Sequence, residues 1–198
     1  MAQVIIFHGL GGSPRSAWIP ELKSRLKAEG YEVVVPRFPA SKRFYLRARF
    51  KDYFPGIKTP TFDDWYRYFQ SLGVRVDENT ILVGHSLGGA FILKLLERLD
   101  RPVKAAVLVA APAGATKGHL YIAARDFTGG FSYDWAKIRS RAARFVVFQS
   151  DNDQTVALPN GQLIATNLGV DLKTVSGGGH WTFRDVSQLL IEIKSLDI

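Results

Sequence analysis

Short runs of β-branched and apolar residues alternate along this chain with longer stretches in which apolar positions recur at helical spacing. Continuous apolar runs read as strands buried on both faces, and the amphipathic stretches between them read as crossover helices. Strands are predicted at Val4–Phe7, Glu32–Val35, Thr80–Val83, Val103–Ala110, Phe145–Gln149 and Leu172–Val175. A helix over Trp18–Glu29 carries Ile19, Leu22 and Leu26 on one side and stops at Gly30. Thr61 caps a second helix that runs to Leu72 before Gly73, and Gly88–Leu99, apolar on most faces, is predicted as a buried helix. Phe183–Leu196 closes the chain with Val186, Leu189, Leu190 and Ile193 on one side. The pattern predicts an α/β fold of about six mostly parallel strands with helices on both faces. No repeat, low-complexity tract or linker divides residues 1–198, so one domain is expected.

Composition narrows the chemistry. With 198 residues, 46% of them hydrophobic, a single core can bury roughly 70% of the unfolded chain's surface without disulfides or structural metals. The absence of cysteine excludes thiolate nucleophiles, Cys-ligated zinc and iron–sulfur clusters. Val4–Phe7 has no basic region before it and no long apolar extension, so neither a signal peptide nor a transmembrane span is expected, and a cytoplasmic location is the default. The net charge of +8 raises the question of a nucleic-acid partner. That charge is concentrated: residues 37–58 carry seven basic side chains and one acid, residues 117–144 carry six and two, and the remainder nets −2. No nucleic-acid-binding module accompanies the charge, so such a partner is not expected.

The segment Thr80-Ile81-Leu82-Val83-Gly84-His85-Ser86-Leu87-Gly88-Gly89-Ala90 is a strand, a Gly-x-Ser-x-Gly turn and a helix in succession. A strand that turns sharply into a helix brings backbones together where a Cβ would clash, and it pushes the serine outward. A serine hydroxyl is a weak nucleophile by itself and needs a histidine base oriented by an acid. Of the four histidines, only His119 and His180 follow Ser86; His119 precedes every good acid candidate and reads as a solvated loop residue. His180 follows the last strand after three glycines and is the expected base. Asp151 and Asp153 compete for the acid after Phe145–Gln149. Asp153, with Val156 three residues on, is favoured because hydrolases of this type share that arrangement; Asp151 then becomes a turn former bonded to its own loop. Oxyanion donors are expected at the backbone N–H groups of Leu87 and of Leu10, in His8-Gly9-Leu10-Gly11-Gly12-Ser13, with His8 bracing that loop. The same glycines do not match a dinucleotide or P-loop fingerprint, and neither cofactor nor metal is expected.

Together, His8–Ser13, Gly84–Gly89, Asp153-x-x-Val156 and Gly178-Gly179-His180 resemble an α/β-hydrolase. The small size, the lack of a leading hairpin and the stretch from Trp18-x-Pro20-x-Leu22 through Tyr31-x-Val33 to Pro36 resemble one branch, the serine hydrolases related to retinoblastoma-binding protein nine. The resemblance implies a Ser-His-Asp mechanism, with Ser86, His180 and Asp153 as the matching positions, and carboxylesterase-like action on a small or medium acyl ester. Residues 40–58 stand out from the compact pattern as a lid or insertion, and residues 112–134 as a long loop.

Both basic segments follow strand carboxyl ends, where open α/β sheets place their ligands, and so are candidates for the rim of the site. In the first, Leu46, Phe50, Tyr53, Phe54 and Ile57 recur at helical spacing with cations between them. This fits a lid over the acyl pocket that favours an anionic substrate, a helix at a membrane surface, or a helix packed on the sheet with a solvated basic face. Phe50, Phe54 and Trp181 are the candidate substrate contacts, and Phe127, Phe131, Tyr133 and Trp135 serve either pocket wall or core. Two alternatives to hydrolysis stand beside it: a protein-interaction module on the same fold, and acyl transfer to an acceptor other than water.

Overall fold

A computed structural model describes residues 2–38, 60–115, 121–182 and 185–197. Six strands form one parallel sheet: β1 (Gln3–Phe7), β2 (Glu32–Val34), β3 (Thr80–His85), β4 (Val103–Val109), β5 (Ala142–Ser150) and β6 (Leu172–Val175), in the order β2-β1-β3-β4-β5-β6. The central strand β3 is buried along its whole length, as expected for a strand covered on both faces.

Alternation along the strands sends successive side chains to opposite faces. Ile5, Phe7, Leu82, Ala106, Leu108 and Val147 enter one core, with Trp65, Phe69 and Phe91 from α2 (Phe62–Ser71) and α3 (Leu87–Leu96). Val4, Ile6, Ile81, Val83, Val107 and Phe148 enter the other, against α1 (Ile19–Ala28) and the C-terminal helix α7 (Ser187–Ser195). Thr61 caps α2: its hydroxyl accepts from the Asp64 N–H, and the Asp64 carboxylate accepts from the Thr61 N–H. The last helix starts later than its apolar pattern suggests, because the Asp185 carboxylate takes the Ser187 N–H at 2.9 Å and sets the first turn there.

Among the described residues, three helices are additional to the sequence prediction: α4 (Tyr121–Thr128), α5 (Trp135–Arg139) and α6 (Pro159–Leu168). The 112–134 connection, expected as a loop, therefore contains α4, whose buried side is small residues, Ala123 and Ala124, plus Phe127.

The second basic segment is corrected as well. Its later arginines lie around the amino end of β5, away from the edge that carries Ser86. Arg139 donates to the carbonyl of Asn167, Arg141 to Leu99, and Arg144 to Ser195 and Leu196. These carbonyls belong to the ends of helices, where cations complement both the unpaired C=O groups and the helix dipole. The expected lid at 40–58, with Phe50 and Phe54, and His119 lie outside the described residues.

Candidate active site

Ser86 sits between β3 and α3 with φ +54° and ψ −122°, a strained backbone for a non-glycine residue. The glycines around it are required by contact. A Cβ on Gly84 would lie 2.6 Å from the Gly88 carbonyl oxygen, one on Gly88 would collide with the Phe7 carbonyl, and one on Gly89 would come within 2.5 Å of Ala111 Cβ. Gly9, after β1, faces the serine itself, with 3.0 Å between its ideal Cβ position and Ser86 Cβ.

The predicted residues meet here. Ser86 Oγ lies 3.0 Å from His180 Nε2, and His180 Nδ1 lies 2.8 Å from Asp153 Oδ2. A carboxylate only accepts, so Nδ1 carries the proton and the Nε2 lone pair faces the serine hydroxyl. Asp153 is buried, and its other oxygen accepts the N–H groups of Thr155 (2.8 Å) and Val156 (2.9 Å). Gln149 Nε2 adds a bond to Oδ2 at 3.2 Å. Asp151 braces its own loop through the backbone N–H groups of Asp151 and Asn152 and also accepts the Gly177 N–H at 2.8 Å, while Asn152 accepts the Gly179 N–H at 2.7 Å, so both hold the glycine-rich loop before His180.

Leu10 and Leu87 both border a cavity at Ser86. The Gly9 carbonyl accepts from His8 Nδ1 (2.8 Å) and from the Gly12 N–H (3.0 Å). Because a peptide is planar and trans, pinning that oxygen fixes the Leu10 N–H in the opposite direction. His8 Nε2 in turn accepts the Phe38 N–H at 3.1 Å, which defines the tautomer and ties the two loops together. Burial holds the His8 pKa below the ordinary histidine value. Leu87 opens α3, where backbone N–H groups lack partners within the helix.

Trp181 is corrected from substrate contact to anchor. Its side chain is 1% exposed and packs edge-on against Phe148 at 5.1 Å, with φ +52° turning it inward directly after His180. Of the four aromatics in the second segment, Phe127 is core, Phe131 borders the cavity at Ser86, and Tyr133 and Trp135 pair with each other at 5.0 Å.

Three further residues shape the site without having been assigned a part in it from sequence. His85 Nε2 donates to the His180 carbonyl at 3.0 Å, and burial together with the neighbouring His180 pushes its pKa down to about 3, so it is neutral at physiological pH. Gln149 Nε2 holds the Asp153 carboxylate, and Asn160 Oδ1 accepts the N–H groups of Ala113, Gly114 and Ala115 at 3.0, 3.0 and 3.2 Å. A polar residue closing the apolar run Phe145–Phe148 is the signal that could have singled out Gln149.

A parallel sheet with a strained serine at a strand–helix elbow, beside a histidine and a buried aspartate, defines the α/β-hydrolase class. The chain belongs to the serine hydrolase family, whose model matches residues 4–187, and it is an enzyme with hydrolase activity. It is 29% identical to YdeN of Bacillus subtilis (strain 168) over 90% of this chain and 85% of that one. It is 25% identical to the serine hydrolase RBBP9 of Rattus norvegicus over 65% and 67% of the two chains. The solved structure of the B. subtilis ydeN product superposes with a TM-score of 0.82 at 28% identity, covering 99% of this chain and 98% of that one. A solved structure from work on LipS and LipT, two metagenome-derived lipolytic enzymes, shares the fold at TM-score 0.70 and 17% identity, over 99% and 93% of the chains. Among the described residues, no helix is long and apolar enough to cross a membrane, and no cluster of His, Cys, Asp or Glu is arranged to hold a metal.

Proposed function

We propose that this enzyme hydrolyses carboxylic esters of small or medium acyl groups through a covalent acyl-enzyme at Ser86. The observation that carries this reading is the continuous hydrogen-bonded chain from Ser86 Oγ through His180 to the buried Asp153 carboxylate. Ser86 Oγ attacks the ester carbonyl carbon as its proton passes to His180 Nε2, and Asp153 stabilises the imidazolium. The carbonyl oxygen becomes an oxyanion that receives the N–H groups of Leu10 and Leu87, each donor contributing on the order of 10²–10³-fold in turnover. The tetrahedral intermediate collapses: the bond to the leaving oxygen breaks, and that oxygen takes the proton from His180. Water then adds to the acyl carbon with His180 again as base, releasing the acid and restoring Ser86.

The first basic segment, residues 37–58 with seven basic side chains and one acid after the carboxyl end of β2, supports an ester that also carries an anionic group. The test is turnover of p-nitrophenyl acetate by wild type, Ser86→Ala and Asp153→Asn. Ser86→Ala should lower kcat by about 10⁴-fold or more, and Asp153→Asn by about 10³–10⁴-fold. Turnover unchanged in Ser86→Ala would refute the mechanism.

A further inference from the structure

Among the described residues, two cavities meet at Ser86, and they differ in size. The larger is an open cleft of about 530 Å³ bordered by His180, Thr182, Ser16, Ala17 and Gly11. The smaller has about 20 Å³ of free space and is bordered by Leu10, Leu87, Tyr121, Ala124, Phe131 and Val156. A volume of that order holds about one water molecule.

We infer that the small cavity is the acyl slot and the cleft receives the leaving group, so that the substrates are esters of very short acyl chains on sizeable alcohols or phenols. The inference rests on the mechanism proposed above and assigns its substrate class. The assignment follows from the proton. The hydrogen that Ser86 gives to His180 Nε2 must pass to the leaving oxygen, so that oxygen and its substituent lie on the side that His180 borders, which is the cleft. The acyl substituent, on the same carbonyl carbon, extends the other way, into the slot beside Leu87.

Phe131 sets the slot's limit. Its backbone is held at φ +58°, with its N–H donated to Thr128 Oγ1 at 3.0 Å, and its ring lies 5.3 Å from that of Tyr121. The ring is seated against Gly114, where a Cβ would come within 2.7 Å of it. Asn160 pins that turn through three backbone N–H groups, which prevents the seat from retreating. A strained aromatic on a braced turn, with its ring at the nucleophile's cavity, is a built wall and not a packing accident.

The test measures kcat/KM for p-nitrophenyl acetate, butyrate, hexanoate and octanoate with the full chain. Wild type should lose at least about 10-fold from acetate to hexanoate, since even one methylene that does not fit costs about that much. In Phe131→Gly, which suits the left-handed backbone, and in Tyr121→Ala, the hexanoate-to-acetate ratio should rise about 10-fold. A wild-type rate that holds or rises through octanoate overturns the slot while leaving the hydrolase mechanism standing, as does an unchanged ratio in two folded variants. Absence of Ser86-dependent hydrolysis of every ester overturns both.

Discussion

Ser86, Phe131 and Trp181 each hold a positive-φ backbone that costs a non-glycine residue about 1–3 kcal/mol. Each sits at the mouth or wall of the same site: one carries the hydroxyl, one bounds a cavity, one anchors the loop behind His180. Of these, the sequence betrayed only Ser86, because its flanking glycines mark the turn; nothing in the local composition distinguishes a Phe at positive φ from a core Phe. Asp153 was separable from Asp151 because of Val156, whose N–H bonds the same carboxylate. His85 was not readable as a brace, since its carbonyl partner lies 95 positions away. Its burial has a measurable consequence. With a folded pKa near 3 against about 6.5 unfolded, the unfolded chain binds the extra proton as pH falls below 6.5, so stability is full above that pH and is lost toward 3. His8, also held low by burial, adds to the same slope. The unfolding free energy from urea titrations should therefore fall between pH 6.5 and 4.5, with His85 alone contributing up to about 1.4 kcal/mol per pH unit. His85→Gln should flatten that slope, and an equally steep slope in the variant would contradict the assignment.

At the scale of elements, the buried parallel strands were the most legible feature, because alternation is replaced there by continuous apolar runs. The helices divide by size of their buried residues. The first two helices carry Leu, Ile, Trp and Phe at helical spacing, whereas α4 buries mostly alanine and α6 buries Asn160 and Gly161 among a few aliphatics, too weak a stripe to read. For α6 the better signal was punctuation, Pro159 at its start and Gly169, at φ +73°, beyond its end. The arginines of residues 139–144 were misplaced for a related reason: sequence shows charge, but not which carbonyls it will cap. The elbow between β3 and α3 depends on backbone approach. Gly84→Ala or Gly88→Ala should cost about 1–3 kcal/mol or more by overpacking, seen as a lower urea midpoint. An unchanged midpoint would mean that the turn has room that the contacts deny.

Across the whole molecule, the carboxyl edge of the sheet gathers residues from four separate connections: Gly9 and Leu10 after β1, Ser86 after β3, Asp153 after β5 and His180 after β6. Open α/β sheets collect chemistry at this edge because every strand delivers a loop there. The +8 charge is the remaining global property. If it steers an anionic substrate, kcat/KM for a carboxylate-bearing ester should fall, relative to a neutral ester of the same acyl group, as salt is raised to about 0.5 M and screening shortens below ~10 Å. Parallel salt profiles for the two esters would remove that role.

The central claim, that Ser86 is a nucleophile activated by His180, is tested most directly by a fluorophosphonate probe followed by intact mass and peptide mapping. Wild type should gain one adduct, mapped to Ser86; Ser86→Ala should gain none, and His180→Ala should label far more slowly. A folded wild-type protein that stays unmodified, or an adduct that persists in Ser86→Ala, would contradict it.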